Sequence, residues 1–190
     1  MCRKCTDKFE KIPVNCPPGN LYPSPPLNIE IVFVGVAPPR KGDQFYTAPK
    51  DGLRRGLFNV LTENGIPCHT IDDFHKHRFF FSHTAKCAIR DTPYPNINVS
   101  RFCSSNHLRT EMEYLLPKGL CFLGKTVGYR VCKDIAKANG FVGELRFGEI
   151  CTIILSGREV FTLSTGWPGR TGLKHLRAHL PVLLKKLKLV

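Results

Sequence analysis

Ile29 to Val34 is an apolar run with β-branched residues, short and bounded by proline and glycine. Such a run predicts a strand buried on both faces, as inside a parallel sheet. Gly35 ends it, Ala37-Pro38-Pro39 forbids further helix or ladder, and Gly42-Asp43 adds a second turn signal. Open α/β sheets place their ligands in loops at the carboxyl ends of central strands. The stretch Ile29 to Tyr46 therefore reads as a strand and a ligand loop, although an ordinary strand-to-helix connection has the same local signature.

The remaining chain alternates in the same manner. Asp51 to Asn64 carries Leu53, Leu57, Val60 and Leu61 at helical spacing and stops at Gly65-Ile66-Pro67. Arg78 to Ser82 reads as a second buried strand leading into His83-Thr84-Ala85-Lys86-Cys87. Leu108 to Leu116 reads as a helix, Leu120 to Leu123 as a third strand, and Thr126 to Ala138 as a further helix. Ile150 to Leu155 and Glu159 to Leu163, joined at Ser156-Gly157, read as a hairpin. The loop Thr165-Gly166-Trp167-Pro168-Gly169 precedes a leucine-rich last helix, in which Pro181 is expected to form a kink or a break between two pieces. The alternation predicts one layered α/β domain over residues 1–190, with 1–28 as an irregular N-terminal wrap.

Charge narrows the partner. Lys and Arg number 28 against 15 Asp and Glu, a formal net charge of +13, which favours a polyanion, nucleic acid before a membrane surface. No apolar run approaches the roughly 20 residues of a membrane span. Met1 to Cys5 begins with charge and cysteine rather than a signal segment, so the expected location is intracellular: cytoplasmic and nucleoid-associated. In that setting the nine cysteines read as metal ligands and buried thiols rather than disulfides. Cys2 and Cys5 form a Cys-x-x-Cys pair, and Cys87 and Cys103 a second pair with fifteen residues between them. Four such thiolates hold either Zn²⁺ or an iron–sulfur cluster. Cys68, Cys121, Cys132 and Cys151 are assigned to the core.

The order of these features resembles the uracil-DNA glycosylase superfamily, specifically its iron–sulfur branch from thermophilic bacteria and archaea. The resemblance rests on Cys2/Cys5, Gly35-Val36-Ala37-Pro38, Lys86-Cys87, Cys103, Tyr114-Leu115-Leu116-Pro117 and Leu123-Gly124-Lys125-Thr126. It implies a three-layer α/β/α fold around a mainly parallel four-stranded sheet, and a [4Fe-4S] cluster on Cys2, Cys5, Cys87 and Cys103, with zinc as the alternative. It also implies a DNA glycosylase of base excision repair, acting on uracil by default. A non-catalytic nucleic-acid-binding relative is the rival reading. The expected state on DNA is a monomer, with a sliding clamp as a further partner.

Two positions depart from the family pattern. Trp167 stands where the family's last loop usually has His, and His83 stands where a base-reading Asn usually lies, four residues before Cys87. Phe45 matches the place of the family's stacking Phe. A glycosylase must flip, stack and read a base and then hydrolyse its bond to the sugar. Base contact accordingly falls to Gly35, Ala37, Phe45, His83 and Trp167. Catalysis falls to Asp43, as the carboxylate beneath a cation-like sugar with Asp51 as runner-up, and to His83, whose ring nitrogens can read or donate. Arg170, Lys174, His175 and Arg177 follow the Trp167 loop, where they could hold phosphates. A solvated turn would account equally for the aspartates, and the core for Phe45.

Overall fold

The computed structural model describes residues 14–15, 22–38, 44–86, 88–89, 102–124, 146–169 and 172–190. The strands are β1 (Val14–Asn15), β2 (Ile31–Gly35), β3 (Phe79–His83), β4 (Ala88–Ile89), β5 (Gly119–Leu123), β6 (Ile150–Leu155) and β7 (Arg158–Thr165). The helices are α1 (Gly52–Glu63), α2 (Ile71–Lys76), α3 (Arg109–Leu115), preceded by a π-helical turn over Ser104–Leu108, and α4 (Leu173–Lys186). The central sheet is five-stranded in the order β3-β2-β5-β7-β6. β2 pairs parallel with β3 and β5, β5 pairs parallel with β7, and β6 closes the far edge antiparallel to β7.

The α/β fold and its mainly parallel sheet are as expected, but the strand count is five rather than four. The fifth strand is β6. Its tight turn, with Ser156 and Gly157 at φ 48° and 76°, suits the twist of a two-residue hairpin and brings the apolar Ile150–Leu155 run back onto β7.

Pleating sorts the strand residues onto two faces. Ile31, Phe33, Phe79, Phe81, Cys121, Leu123 and Leu163 pack with Leu57 and Leu61 of α1, Phe74 of α2, and Leu176, Leu180, Leu183 and Leu184 of α4. Val32, Val34, Phe80, Leu120 and Phe122 pack on the opposite face with Leu108 and with Met112 of α3. The sheet is thus the middle of three layers. Glu30, at the amino end of β2, is buried, and its Oε1 meets Arg78 Nη2 at 2.5 Å and Lys118 Nζ at 2.9 Å. This opposite-charge pairing lets a carboxylate interrupt a buried run.

Pro181 does not divide the last helix, which is continuous from Leu173 to Lys186. Proline removes one backbone bond there, while the fully buried Leu180, Leu183 and Leu184 hold both sides of it against the sheet. The helix expected over Thr126–Ala138 lies outside the described residues. Within the N-terminal wrap, Val14–Asn15 pairs antiparallel with Ala88–Ile89. No helix among the described residues is long and apolar enough to cross a membrane.

Candidate active site

The four parallel strands end at one edge of the sheet. Gly35 lies opposite His83, and Leu123 opposite Thr165. A Cβ on Gly35 would lie 2.9 Å from Phe81 Cζ and 3.1 Å from His83 Cδ2, so only glycine leaves room for both rings over the strand end. Beyond it, Thr84 N donates to Gly35 O (2.9 Å), Ala85 N to Val36 O (2.9 Å), and Thr84 Oγ1 to Val36 O (2.5 Å). These bonds extend the β2–β3 ladder past the strands and fix the segment that carries His83.

A small, half-open pocket lies at this edge, lined by Tyr22, Pro38, Gln44, Phe45, Tyr46 and His83. Phe45 is stacked on Phe81, with centroids 4.2 Å apart and planes at 20°. Phe58 and Phe74 meet Phe45 edge-on. Phe45 is therefore a core residue and a pocket wall at once. Tyr46 supports it: its hydroxyl accepts from Phe81 N (2.7 Å) and donates to Phe81 O (3.0 Å). Because β3 is an edge strand, this hydroxyl satisfies backbone groups that would otherwise stand open.

His83 is the pocket's titratable wall. It is 7 % exposed, and its Nδ1 lies 2.8 Å from the Tyr22 hydroxyl. Burial, reinforced by the nearby Lys86 ammonium, pushes its pKa down to about 3, so the ring is neutral near pH 7. Burial likewise raises the Tyr22 phenol well above its ordinary value, and that group keeps its proton. Lys86 Nζ sits 5.1 Å from the Tyr22 ring centre and is bonded to Ser82 Oγ and Glu111 Oε2, while Ser82 Oγ donates to Glu111 Oε2 at 2.8 Å. Gln44 Oε1 is enclosed and has no hydrogen-bond partner among the described residues.

The Trp167 loop leaves the same edge from β7. A Cβ on Gly166 would lie 2.3 Å from Gly172 O, one on Gly172 2.0 Å from Trp167 O, and one on Gly56 of α1 2.5 Å from Pro168 O. Three glycines thus let the loop fold on itself and dock against α1, holding Trp167 37 % exposed. Trp167 does not line the pocket. On α4, Lys174 is exposed, whereas Arg177 forms a two-pronged pair with Glu63 of α1, at 2.8 and 2.6 Å. His175 and His179 both pack on Phe147, and His179 Nδ1 lies 3.0 Å from Thr165 Oγ1.

The structure therefore brings together Phe45 and His83 above Gly35, with Ala37 part-buried in the loop between. Asp43, Arg170, Cys2, Cys5 and Cys87 lie outside the described residues, as does Cys132. Asp51 is the N-cap of α1, its Oδ1 accepting from Arg54 N at 2.7 Å. Cys103 is buried, and its Sγ accepts from Lys86 N at 3.2 Å, one residue short of Cys87. An amide hydrogen bond to sulfur suits a cluster- or metal-bound thiolate. Cys68 and Cys121 are buried in the core; burial pushes the Cys68 thiol up to about 12, and the part-buried Cys151 up to about 11. Sequence reasoning passed over Tyr22, Pro38, Gln44 and Tyr46 as pocket walls. Gln44 and Tyr46 flank Phe45 and could have been found by adjacency, while Tyr22 reaches His83 from 61 residues away.

An aromatic wall and a neutral imidazole suit a flat ring bearing hydrogen-bonding edges. A family model described as the Uracil DNA glycosylase superfamily matches residues 23–187, which include every described wall of the pocket except Tyr22. No curated protein matches the chain.

Proposed function

From the premise that this chain belongs to the uracil-DNA glycosylase superfamily, we propose that it is a DNA glycosylase that flips a damaged or deaminated base, uracil by default, into the Phe45–His83 pocket. The observation that carries this reading is the pocket itself. It sits at the carboxyl edge of a parallel sheet, with an aromatic wall and a neutral histidine, and the same edge carries a loop presenting an exposed tryptophan.

In this mechanism Phe45 stacks on the extruded base and Trp167 occupies the gap the base leaves. Arg170, Lys174 and Arg177 hold the backbone phosphates, Arg177 exchanging its Glu63 carboxylate for a phosphate as it engages. Water attacks the sugar C1′ while the C1′–N bond breaks and its electron pair leaves with the base. The water proton passes to the Asp43 carboxylate, which also steadies the positive charge on the sugar. His83, being neutral, donates a hydrogen bond to the departing base instead of a proton.

Cys2, Cys5, Cys87 and Cys103 would hold the [4Fe-4S] cluster of the family's iron–sulfur branch, with zinc as the alternative. When bound, it would act as a structural cross-link between the N-terminal segment and the two chain stretches that meet where Lys86 N contacts Cys103 Sγ. Analysis of protein purified without oxygen checks this: about four iron and four sulfide per chain are expected, and zinc without sulfide would remove the cluster.

The functional test is a panel of duplexes carrying one uracil, hypoxanthine, xanthine or mismatched thymine, each treated with alkali after incubation. Strand cleavage at one or more of these lesions is expected. Tight duplex binding without any abasic product would favour the non-catalytic relative, a reading motivated by Trp167 at the usual His position.

A further inference from the structure

Outside the pocket, α4 carries two histidines that the glycosylase reading leaves without a role. His175 and His179 are four residues apart, so they share one face of the helix. Their ring centroids lie 5.8 Å apart with planes at 35°, and both rings meet Phe147 edge-on, at 5.3 and 5.4 Å. Phe147 is itself fixed beside β7 by a bridge to Ser164, and Gly148 N donates to Ser164 O at 2.8 Å. Both histidines are half-buried in this setting.

The two ring nitrogens of His179 are in different surroundings. Nδ1 lies 3.0 Å from Thr165 Oγ1, the kind of outer hydrogen bond that orients a ligating imidazole and leaves its other nitrogen for a metal. That other nitrogen, Nε2, faces Gly148. A Cβ there would lie 2.8 Å from both Nε2 and Cε1, so glycine keeps this ring edge clear of a side chain. His175 makes ring contacts but no side-chain hydrogen bond among the described residues. Two imidazoles on one Zn²⁺ hold their ring centres about 5 Å apart, given Zn–N bonds of about 2 Å. The observed 5.8 Å is a small ring rotation away from that. Electrostatics agree with the geometry. Burial and the neighbouring His175 both disfavour the charged form of His179, and a metal requires the neutral ring. Arg177, between the two in sequence, is engaged by Glu63 of α1 at 2.8 and 2.6 Å. Arg146 and Glu149, which flank Phe147, lie 3.9 Å apart and offset each other. A phosphate grip by these histidines would instead need imidazolium charge, which this packing opposes.

We propose that His175 and His179 form an open site for a divalent transition-metal ion of the zinc, nickel and copper class, with Thr165 Oγ1 orienting the His179 ring. Imidazole suits these ions, whereas calcium and magnesium favour oxygen ligands. With two protein ligands the ion keeps positions for water or an outside donor. The site uses none of Cys2, Cys5, Cys87 and Cys103, and it stands whether or not the protein releases a base. Thr165 is a positioning residue, since it acts on the ion only through the imidazole.

The test titrates the full-length chain, as purified, with Zn²⁺ and separately with Ni²⁺ at about pH 7. Nitrogen-resolved NMR of the histidine side chains follows the Zn²⁺ series. His175 and His179 are expected to shift together, at lower Zn²⁺ than the exposed His69. Calorimetry with Ni²⁺ then compares the wild type with His175→Ala, His175→Gln and His179→Ala, each expected to lose the binding event that the wild type shows. Thr165→Val is expected to weaken that event about tenfold, and Thr165→Ser to retain it. Thermal unfolding without added metal identifies which variants keep the fold, and the comparison is made among those. Equal Ni²⁺ binding in the wild type and the histidine variants overturns the proposal. So does loss in variants of one histidine only, or a Zn²⁺ response of this pair no earlier than that of His69.

Discussion

The His83 imidazole ordinarily takes up a proton at pH 6.5, but in the folded chain it resists protonation until about pH 3. Between those values the unfolded state binds the proton and the folded state does not, so stability falls as the pH drops through that window. Each pH unit costs up to about 1.4 kcal/mol from this single group. Denaturant titrations at about pH 7 and about pH 5 should therefore show a stability loss on acidification that His83→Asn reduces; equal losses in both proteins would contradict the burial argument. Legibility in the sequence differed among the residues of this wall. Phe45 and His83 were reached through the family resemblance, by their places after the first loop and four residues before Cys87. Tyr22 could not be reached from the sequence, because nothing local in Leu21-Tyr22-Pro23 signals a partner 61 residues on. Glu30 shows the same limit: inside a run that reads as apolar, its charge is matched by Lys118, 88 residues away.

At the level of elements, the sequence carried the parallel strands and the long helices, because their periodicity is set by which face is buried. Short elements depended on single contacts. α2 is six residues long, yet Thr70 and Asp73 form a complete capping box, with Thr70 Oγ1 accepting from Asp73 N and Asp73 Oδ2 from Thr70 N. That signature was readable and unused. Pro181 does not break its helix because helix-breaking is a local penalty of about 3 kcal/mol, whereas the leucines around it are buried by contacts made elsewhere in the fold. The Trp167 loop depends on contacts of another kind, with Gly56 of α1 lying against the Pro168 carbonyl. Gly56→Ala should cost about 1–3 kcal/mol by overcrowding, lower Tm, and shift the emission of Trp167, the one tryptophan in the chain. An unchanged Tm and emission spectrum would show that the loop does not depend on this seat.

Across the whole molecule, the candidate site lies at one edge. The carboxyl ends of β2, β3, β5 and β7 carry the pocket and the Trp167 loop, while the opposite edge carries the Glu30 ion pairs with Arg78 and Lys118. The net charge of +13 belongs to this scale too, since it acts on a duplex as a whole and its effect weakens steeply with salt. Composition therefore pointed to the partner class before any site was located, and the order of motifs pointed to the fold; neither could name the walls of the pocket, which are assembled from distant segments. The central claim is that a base enters the space above Gly35. Its most direct test is single-turnover release of uracil from a uracil·guanine duplex by the wild-type chain and by Gly35→Ala, whose new methyl would press on Phe81 and His83. The account predicts release by the wild type, and a loss of about a hundredfold or more in the variant, with duplex binding retained. Equal rates from the two proteins, or no release by the wild type, would contradict it.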